Sequence, residues 1–202
     1  QQSGMKASSM PPNFGLGRRL HGRRLGLFGY GKIGKLVANY GKAFGMSVTA
    51  WGRESTLERA RADGIETAPS KEALFENSDV LCLLLKLTEE TRGIVTLADL
   101  QRMGPEALLV NTSRAELIES DALVLALNRG RPGMAAVDVF ESEPILQGHP
   151  LLRMENVICT PHIGFVEADS YELYFRAAFE NIVAWVAGTP KNIVNEEALA
   201  KQ

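Results

Sequence analysis

The chain has 202 residues, 45% of them hydrophobic and 23% charged, with a formal net charge of −2. Such values suit a folded domain with a sizeable core and argue against wholesale disorder. The near-neutral charge gives no electrostatic reason to expect nucleic acid or an anionic membrane as partner. No apolar run reaches the length of a membrane span, and no charged-then-apolar start resembles a signal peptide. Cys82 and Cys159 lie inside apolar, strand-like runs, where a reduced, packed thiol is the default. A soluble, cytoplasmic protein is expected.

Residues 1–20 read as the remnant of a linker. The chain begins Gln1-Gln2 without an initiator Met, contains Met10-Pro11-Pro12-Asn13, and shows no strong period there. Residues 21–190 then read as one domain and 191–202 as a tail. The domain opens with Arg24–Phe28, an apolar strand, followed by Gly29-Tyr30-Gly31-Lys32-Ile33-Gly34. This fits G-x-G-x-x-G placed between a strand and a helix, a backbone device for holding a pyrophosphate. The first glycine permits the turn, the second lets the main chain approach the phosphates, and the third brings helix and strand close. Ile33, Val37, Tyr40 and Phe44 recur at spacings of three to four and mark one face of that helix.

Ser47–Trp51 reads as a second strand, and Ser55-Thr56-Leu57-Glu58 has the form of a capping box opening a short helix. A weak strand around 65–68 and a helix from Ser70 to about Glu76 follow. Val80–Leu85 is apolar without alternation, as befits a parallel strand covered on both faces. Further strands are expected at Leu108–Val110, Ala135–Phe140 and Val157–Thr160. Helices are expected at Leu97–Met103, Asp121–Asn128 and Glu167–Ala187. Strands alternating with helices behind a glycine-rich first turn predict a Rossmann-like, doubly wound parallel α/β sheet, with ligands beyond the carboxyl ends of its strands.

The polar groups of interest fall on that edge. After the second strand, where an acid usually meets the ribose 2′-hydroxyl, stand Gly52-Arg53-Glu54. An arginine there suits a 2′-phosphate, so NADP is slightly favoured over NAD, with Glu54 still able to reach a ribose. Arg114 follows a buried strand, and its planar guanidinium suits the carboxylate of a small organic acid. His162 follows the last strand and Pro161, where an imidazole could exchange a proton near neutral pH. Glu141 and Glu143 lie after another strand end, and a carboxylate bonded to His162 would fix its tautomer and raise its pKa. His21 and His149 are read as solvated. No second His or Cys has ligand spacing near His162, so no metal is expected.

Four stretches, in order, resemble the nucleotide-binding domain of the D-isomer-specific 2-hydroxyacid dehydrogenases. They are Leu25–Gly34, Val110–Arg114, Ala136–Pro144 and Asn156–Gly164, and the likeness covers roughly residues 20 to 195. The resemblance implies an oxidoreductase moving a hydride between NAD(P) and a small D-2-hydroxy or 2-keto acid. By it Arg114 binds the substrate, His162 is the acid/base and Glu143 is its partner. Asp138 holds the nicotinamide carboxamide, and Thr112 and Gly164 lie at the cofactor, with Gly29–Gly34 and Arg53. It also implies a homodimer formed through the nucleotide domain.

The sequence departs from the family pattern in three ways. Ala115 stands where glycine usually follows the arginine, and Leu84 and Lys86 replace the usual His and Pro of a cleft wall. The domain that in relatives precedes the linker and completes the substrate pocket is not in this sequence. The isolated chain is therefore expected to bind cofactor weakly and turn over little. An inert dinucleotide-binding interaction module and an inactive fragment are the alternatives. Intact Arg114, Glu143 and His162 favour retained chemistry, since a sensor needs only the glycine turn and ribose contacts.

Overall fold

The computed structural model describes residues 17–197. The chain divides into two compact units, Gln1–His162 and Ile163–Gln202. The first is a seven-stranded sheet built from β1 (Arg24–Phe28), β2 (Ser47–Trp51), β3 (Glu66–Thr67), β4 (Val80–Leu83), β5 (Leu108–Asn111), β6 (Met134–Val137) and β7 (Val157–Cys159). The spatial order is β3-β2-β1-β4-β5-β6-β7 and every pairing is parallel. The chain runs outward from β1 to β3, then returns to place β4 on the other side of β1. That reversal opens a crevice above the carboxyl ends of β1 and β4, where such sheets take their ligands.

Among the described residues the α-helices are α1 (Lys32–Ala43), α2 (Glu54–Ala62), α3 (Lys71–Glu76), α4 (Leu97–Arg102), α5 (Ala122–Asn128) and α6 (Ala168–Val186). Alternate residues of the strands feed two hydrophobic clusters. Leu25, Leu27, Val48 and Ala50 pack with Ala38 of α1 and Ala60 of α2. Phe28, Leu81, Leu83 and Leu109 pack with Phe75 of α3, Leu100 of α4 and Leu123 of α5. The continuous apolar strands thus bury both sides, as parallel sheets must.

α1 turns its small residues inward, and of the apolar stripe noted in the sequence Val37 packs against the core. Its buried residues are Gly34, Ala38 and Gly41. Ile33, Tyr40 and Phe44 are 65%, 63% and 60% exposed, and Leu36 is 54% exposed. Bulk decides which stripe faces inward. A Cβ on Gly34 would lie 2.7 Å from the Gly29 carbonyl oxygen, and one on Gly41 would lie 2.5 Å from a Leu25 methyl. Only the small stripe, itself at helical spacing, lets the helix settle against β1.

α2 departs from the sequence reading. It begins at Glu54 rather than behind a Ser55 cap, and Arg53 is the N-cap residue with no side-chain cap bond. The Arg53 carbonyl accepts the Thr56 and Leu57 amides at 2.7 and 3.1 Å, and the helix starts ahead of the expected cap. The capping box occurs instead at α4, between Thr96 and Asp99. Ser70 caps α3 by accepting the Ala73 amide at 3.1 Å. β6 stops at Val137, short of the expected Phe140, because its neighbour β7 pairs with only three residues.

In the second unit, α6 buries none of its side chains. Tyr171 and Phe175 stack at 5.9 Å, and Glu172 pairs with Arg176 at 2.6 Å. No described helix is long and apolar enough to cross a membrane.

The close approach of α1 makes the glycines unequal. Gly34→Ala should destabilise the fold by about 1–3 kcal/mol through overpacking, lowering the thermal midpoint by about 2–4 °C for each kcal/mol. Gly31→Ser, where an added Cβ meets no atom within 4 Å, should change stability by less than about 0.5 kcal/mol. Calorimetry giving equal midpoints for the two variants would refute this account of the packing.

Candidate active site

The glycine turn joins β1 to α1 at the crevice. Gly29 has φ +107°, a conformation that side-chain-bearing residues avoid, and a Cβ there would lie 2.6 Å from the Leu84 carbonyl oxygen. Its amide donates to the Trp51 carbonyl at 2.9 Å, tying the turn to β2. Gly31 is the N-cap of α1, exposed and with open space where a Cβ would project. α1 begins with no side-chain cap bond and no acid in its first turn, only Lys32 and Lys35 beside Ile33. Free amides at the positive end of a helix, approached over bare backbone, fit a pyrophosphate. Tyr30 is buried and its hydroxyl donates to Asp63 at 3.1 Å, so this residue offers the turn its backbone and not its ring.

Beyond β2, Arg53 is exposed and lies 3.6 Å from Glu90, with Glu54 bound to Arg61 at 2.8 Å. Of the two residues considered for the ribose, Glu54 is thus engaged along its own helix. Thr112 is exposed just after β5. Asp138 is buried just after β6, where Thr160 donates to it at 2.5 Å. Gly164 lies at the start of the second unit.

Arg114, Glu143 and His162 come from three separate strand ends and line one concavity of 250 Å³, with Ala115, Val139 and Phe140. His162 Nδ1 is 2.7 Å from Glu143 Oε2. Glu143 Oε1 accepts the Phe140 amide at 3.0 Å, so both oxygens of one carboxylate are committed. With Nδ1 facing a carboxylate, Glu143 fixes the orientation of the ring. His162 has φ +55°, a left-handed conformation uncommon for a residue with a side chain and found preferentially where function demands it. The imidazole bond, then the Phe140 amide, hold the Glu143 carboxyl below its ordinary range, with the Arg114 charge adding to the effect.

Three positioning residues escaped the sequence reading. Asn111, only 1% exposed, donates to the Arg114 carbonyl at 2.9 Å and accepts the Ser113 amide at 3.1 Å. Ser113 donates to the Leu83 carbonyl at 2.8 Å, pinning the loop to the end of β4. Arg114 itself donates to the Ser113 carbonyl at 2.6 Å. Thr160 fixes the Asp138 carboxylate as described above. A signal existed in Asn111-Thr112-Ser113, since Asn readily bonds the backbone two residues on. His149, read as solvated, is half-buried, lies edge-on to Phe140 at 5.6 Å and sits 3.4 Å from Glu141. Among the described residues no group of three His, Cys, Asp or Glu could hold a metal ion.

The lowered Glu143 pKa has a definite sign. A carboxylate favoured in the folded state contributes its full stabilisation above the ordinary glutamate pKa and loses it as pH falls through the lowered folded value. Carbon-detected NMR of the Glu143 carboxyl should give a midpoint below about 4.3, the free-glutamate value, moving upward in His162→Ala. A midpoint at or above the free value would remove the pairing.

Comparison with known proteins identifies the family. The family model of the D-isomer specific 2-hydroxyacid dehydrogenase NAD binding domain matches residues 1–164. A glyoxylate reductase of Aeropyrum pernix is 40% identical over 189 residues, which are 93% of this chain and 56% of that protein. A hydroxypyruvate reductase of Blautia hydrogenotrophica is 35% identical over 91% of this chain and 55% of its own length. The crystal structure of a phosphoglycerate oxidoreductase from Vibrio cholerae superimposes with a TM-score of 0.85 at 47% identity, covering 92% of this chain and 60% of that one. The chain therefore spans a little over half the length of the relatives it matches. Its domain is of the kind that binds a nicotinamide dinucleotide, and the chain belongs to the D-isomer specific 2-hydroxyacid dehydrogenase family.

Proposed function

We propose that this chain is the cofactor-binding and proton-transferring part of an oxidoreductase that interconverts a small 2-keto acid and its D-2-hydroxy acid. The observation behind the reading is the His162–Glu143 pair at 2.7 Å in one concavity with Arg114. A reduced nicotinamide bound across the glycine turn supplies the hydride. In the direction of reduction, the Arg114 guanidinium grips the substrate carboxylate and polarises the keto group. Protonated His162 delivers a proton from Nε2 to the oxygen that becomes the hydroxyl. Glu143 holds the ring through Nδ1 and stabilises its charged form, and Asp138, steadied by Thr160, orients the nicotinamide carboxamide. Thr112 completes the cofactor contacts of the first unit in this reading.

The named relatives act on glyoxylate, hydroxypyruvate or phosphoglycerate, which have a carboxylate beside an oxygen-bearing carbon in common. Part of the proposal is that the remaining length of such relatives furnishes the opposite wall of the substrate pocket. An inert binding module needs no imidazole–carboxylate pair, so that geometry favours chemistry over sensing. A cytoplasmic setting is included, supported by two free thiols, of which Cys82 is pushed up to about 11 by burial. In the longest form of the protein carrying this chain, His162→Ala should lower kcat on glyoxylate or hydroxypyruvate by about 10²–10⁴ while cofactor affinity is kept. Unchanged turnover sinks the mechanism.

NADP is favoured over NAD. Arg53 stands exposed at the start of α2, whose first amides lack a side-chain cap, and Glu54 is turned to Arg61. Titration of the chain, followed by Trp51 fluorescence, should show tighter binding of NADPH than NADH, and Arg53→Ala should lose about tenfold for NADPH alone, the worth of a charge-assisted contact. Equal losses for both cofactors would reverse the preference.

A homodimer is also proposed, through the apolar stripe Ile33, Leu36, Tyr40 and Phe44 on α1. Four large apolar side chains more than half exposed on one helix are more than solubility requires. Light scattering should find a dimer that Leu36→Glu with Tyr40→Lys converts to monomer; a monomeric parent at high concentration would count against it.

A further inference from the structure

A second cavity lies back to back with the catalytic concavity. It measures 350 Å³, within the range of small-molecule sites, and Ala115, Val139 and Glu141 line both. Its walls come from the two loops that carry the reacting groups. One runs on from Arg114 into α5 and contributes Ala115, Ile118, Leu123 and Val124; the other follows β6 past Glu143 and contributes Val139 and Leu151. These side chains are aliphatic, and Ile118, Leu123, Val139 and Leu151 are buried.

The carboxylates around it are the charged groups of its lining, beside the polar Asn111, Ser120 and His149. Glu119, Asp121 and Glu141 are exposed and belong to its lining, which puts them at the opening. Among the described residues that line the cavity there is no Lys or Arg. His149 turns Nδ1 to the Leu151 amide at 3.3 Å, which leaves its Nε2 hydrogen for Glu141 at 3.4 Å. The Glu119 carboxylate accepts the Leu97 amide at 3.2 Å through one oxygen. The Asp121 carboxylate makes no cap bond to α5, although Asp121 is its N-cap residue and is held at φ +60°.

We propose that this cavity binds a small organic cation: an aliphatic or arylalkyl body in the apolar interior, with an ammonium group among Glu119, Asp121 and Glu141. An anion would meet three carboxylates here with no Lys or Arg in the lining to offset them, whereas Arg114 stands among the carboxylates of the neighbouring concavity. Occupancy touches both loops that hold the catalytic groups, making the site a place from which a ligand can act on Arg114 and Glu143. Ala115 is part of the shared wall at the position where the family pattern has glycine, and its methyl group adds to the apolar lining of both cavities.

The test uses the full chain, isotopically labelled, with phenethylammonium as cation, 2-phenylethanol as neutral analogue and 3-phenylpropionate as anion. Phenethylammonium should shift amide resonances in residues 115–124 and 139–151 in a saturable manner and bind about tenfold more tightly than the alcohol, the worth of a charge-assisted contact. The paired exposed substitutions Asp121→Asn and Glu141→Gln, which leave the apolar walls intact, should erase that advantage while spectra outside the site stay unchanged. Absence of saturable shifts, equal binding of cation and anion, or a cation advantage untouched by the paired variant would each overturn the assignment. Cofactor binding, measured separately, is not involved in any of these outcomes.

Discussion

The distance between α1 and β1 is the constraint from which the rest follows. Gly29, Gly34, Ala38 and Gly41 leave little more than a methyl group between helix and strand along their closest approach. What remains is backbone against sheet, so the amides at the start of α1 are set by the main chain rather than by flexible groups. An anion site built this way is rigid and depends little on the identity of neighbouring side chains. The same constraint pushes the bulky residues of α1 outward and leaves the helix with two working faces.

Parallel pairing then does the gathering. Since every strand points the same way, the residues that follow β1, β2, β5, β6 and β7 all emerge on one edge of the sheet. Arg114, Glu143 and His162 are far apart in sequence and share a concavity for that topological reason alone. Precision comes from a further layer of bonds: Asn111 closes the loop before Arg114, Ser113 ties it to β4, and Thr160 holds Asp138. These are short, partly buried contacts of polar groups, and here they orient the groups assigned to ligand in the proposed function.

Much of this was legible in the sequence. Strand-turn-helix around Gly29–Gly34 announced the sheet, and apolar runs located β2, β4, β5 and β7 within a residue or two. Strand ends alone left Glu141 and Glu143 both open as partners of His162, and it was the family resemblance that singled out Glu143. The inward face of α1 could not be read by counting large apolar residues, since close packing rewards the absence of bulk and two stripes of one helix had the same period. Ser55 looked like a cap because a capping box is a local pattern, whereas the start of α2 was decided by the carbonyl of Arg53. The half-burial of His149 depended on a partner ring, Phe140, contributed by a distant turn. Loops that carry no period leave such contacts invisible until the chain is folded.

Glu143 gives one oxygen to the imidazole and the other to the backbone of Phe140. Chemistry and architecture are thereby routed through a single charged group, and no substitution at this position can report on one without disturbing the other. Glutamine would retain an acceptor for the amide but offer the ring a neutral partner. Aspartate would keep the charge on a stem one carbon too short to span both bonds. The site has consequently little room for gradual change at this residue: drift in substrate preference must occur in the walls around it, with the carboxylate as a fixed point.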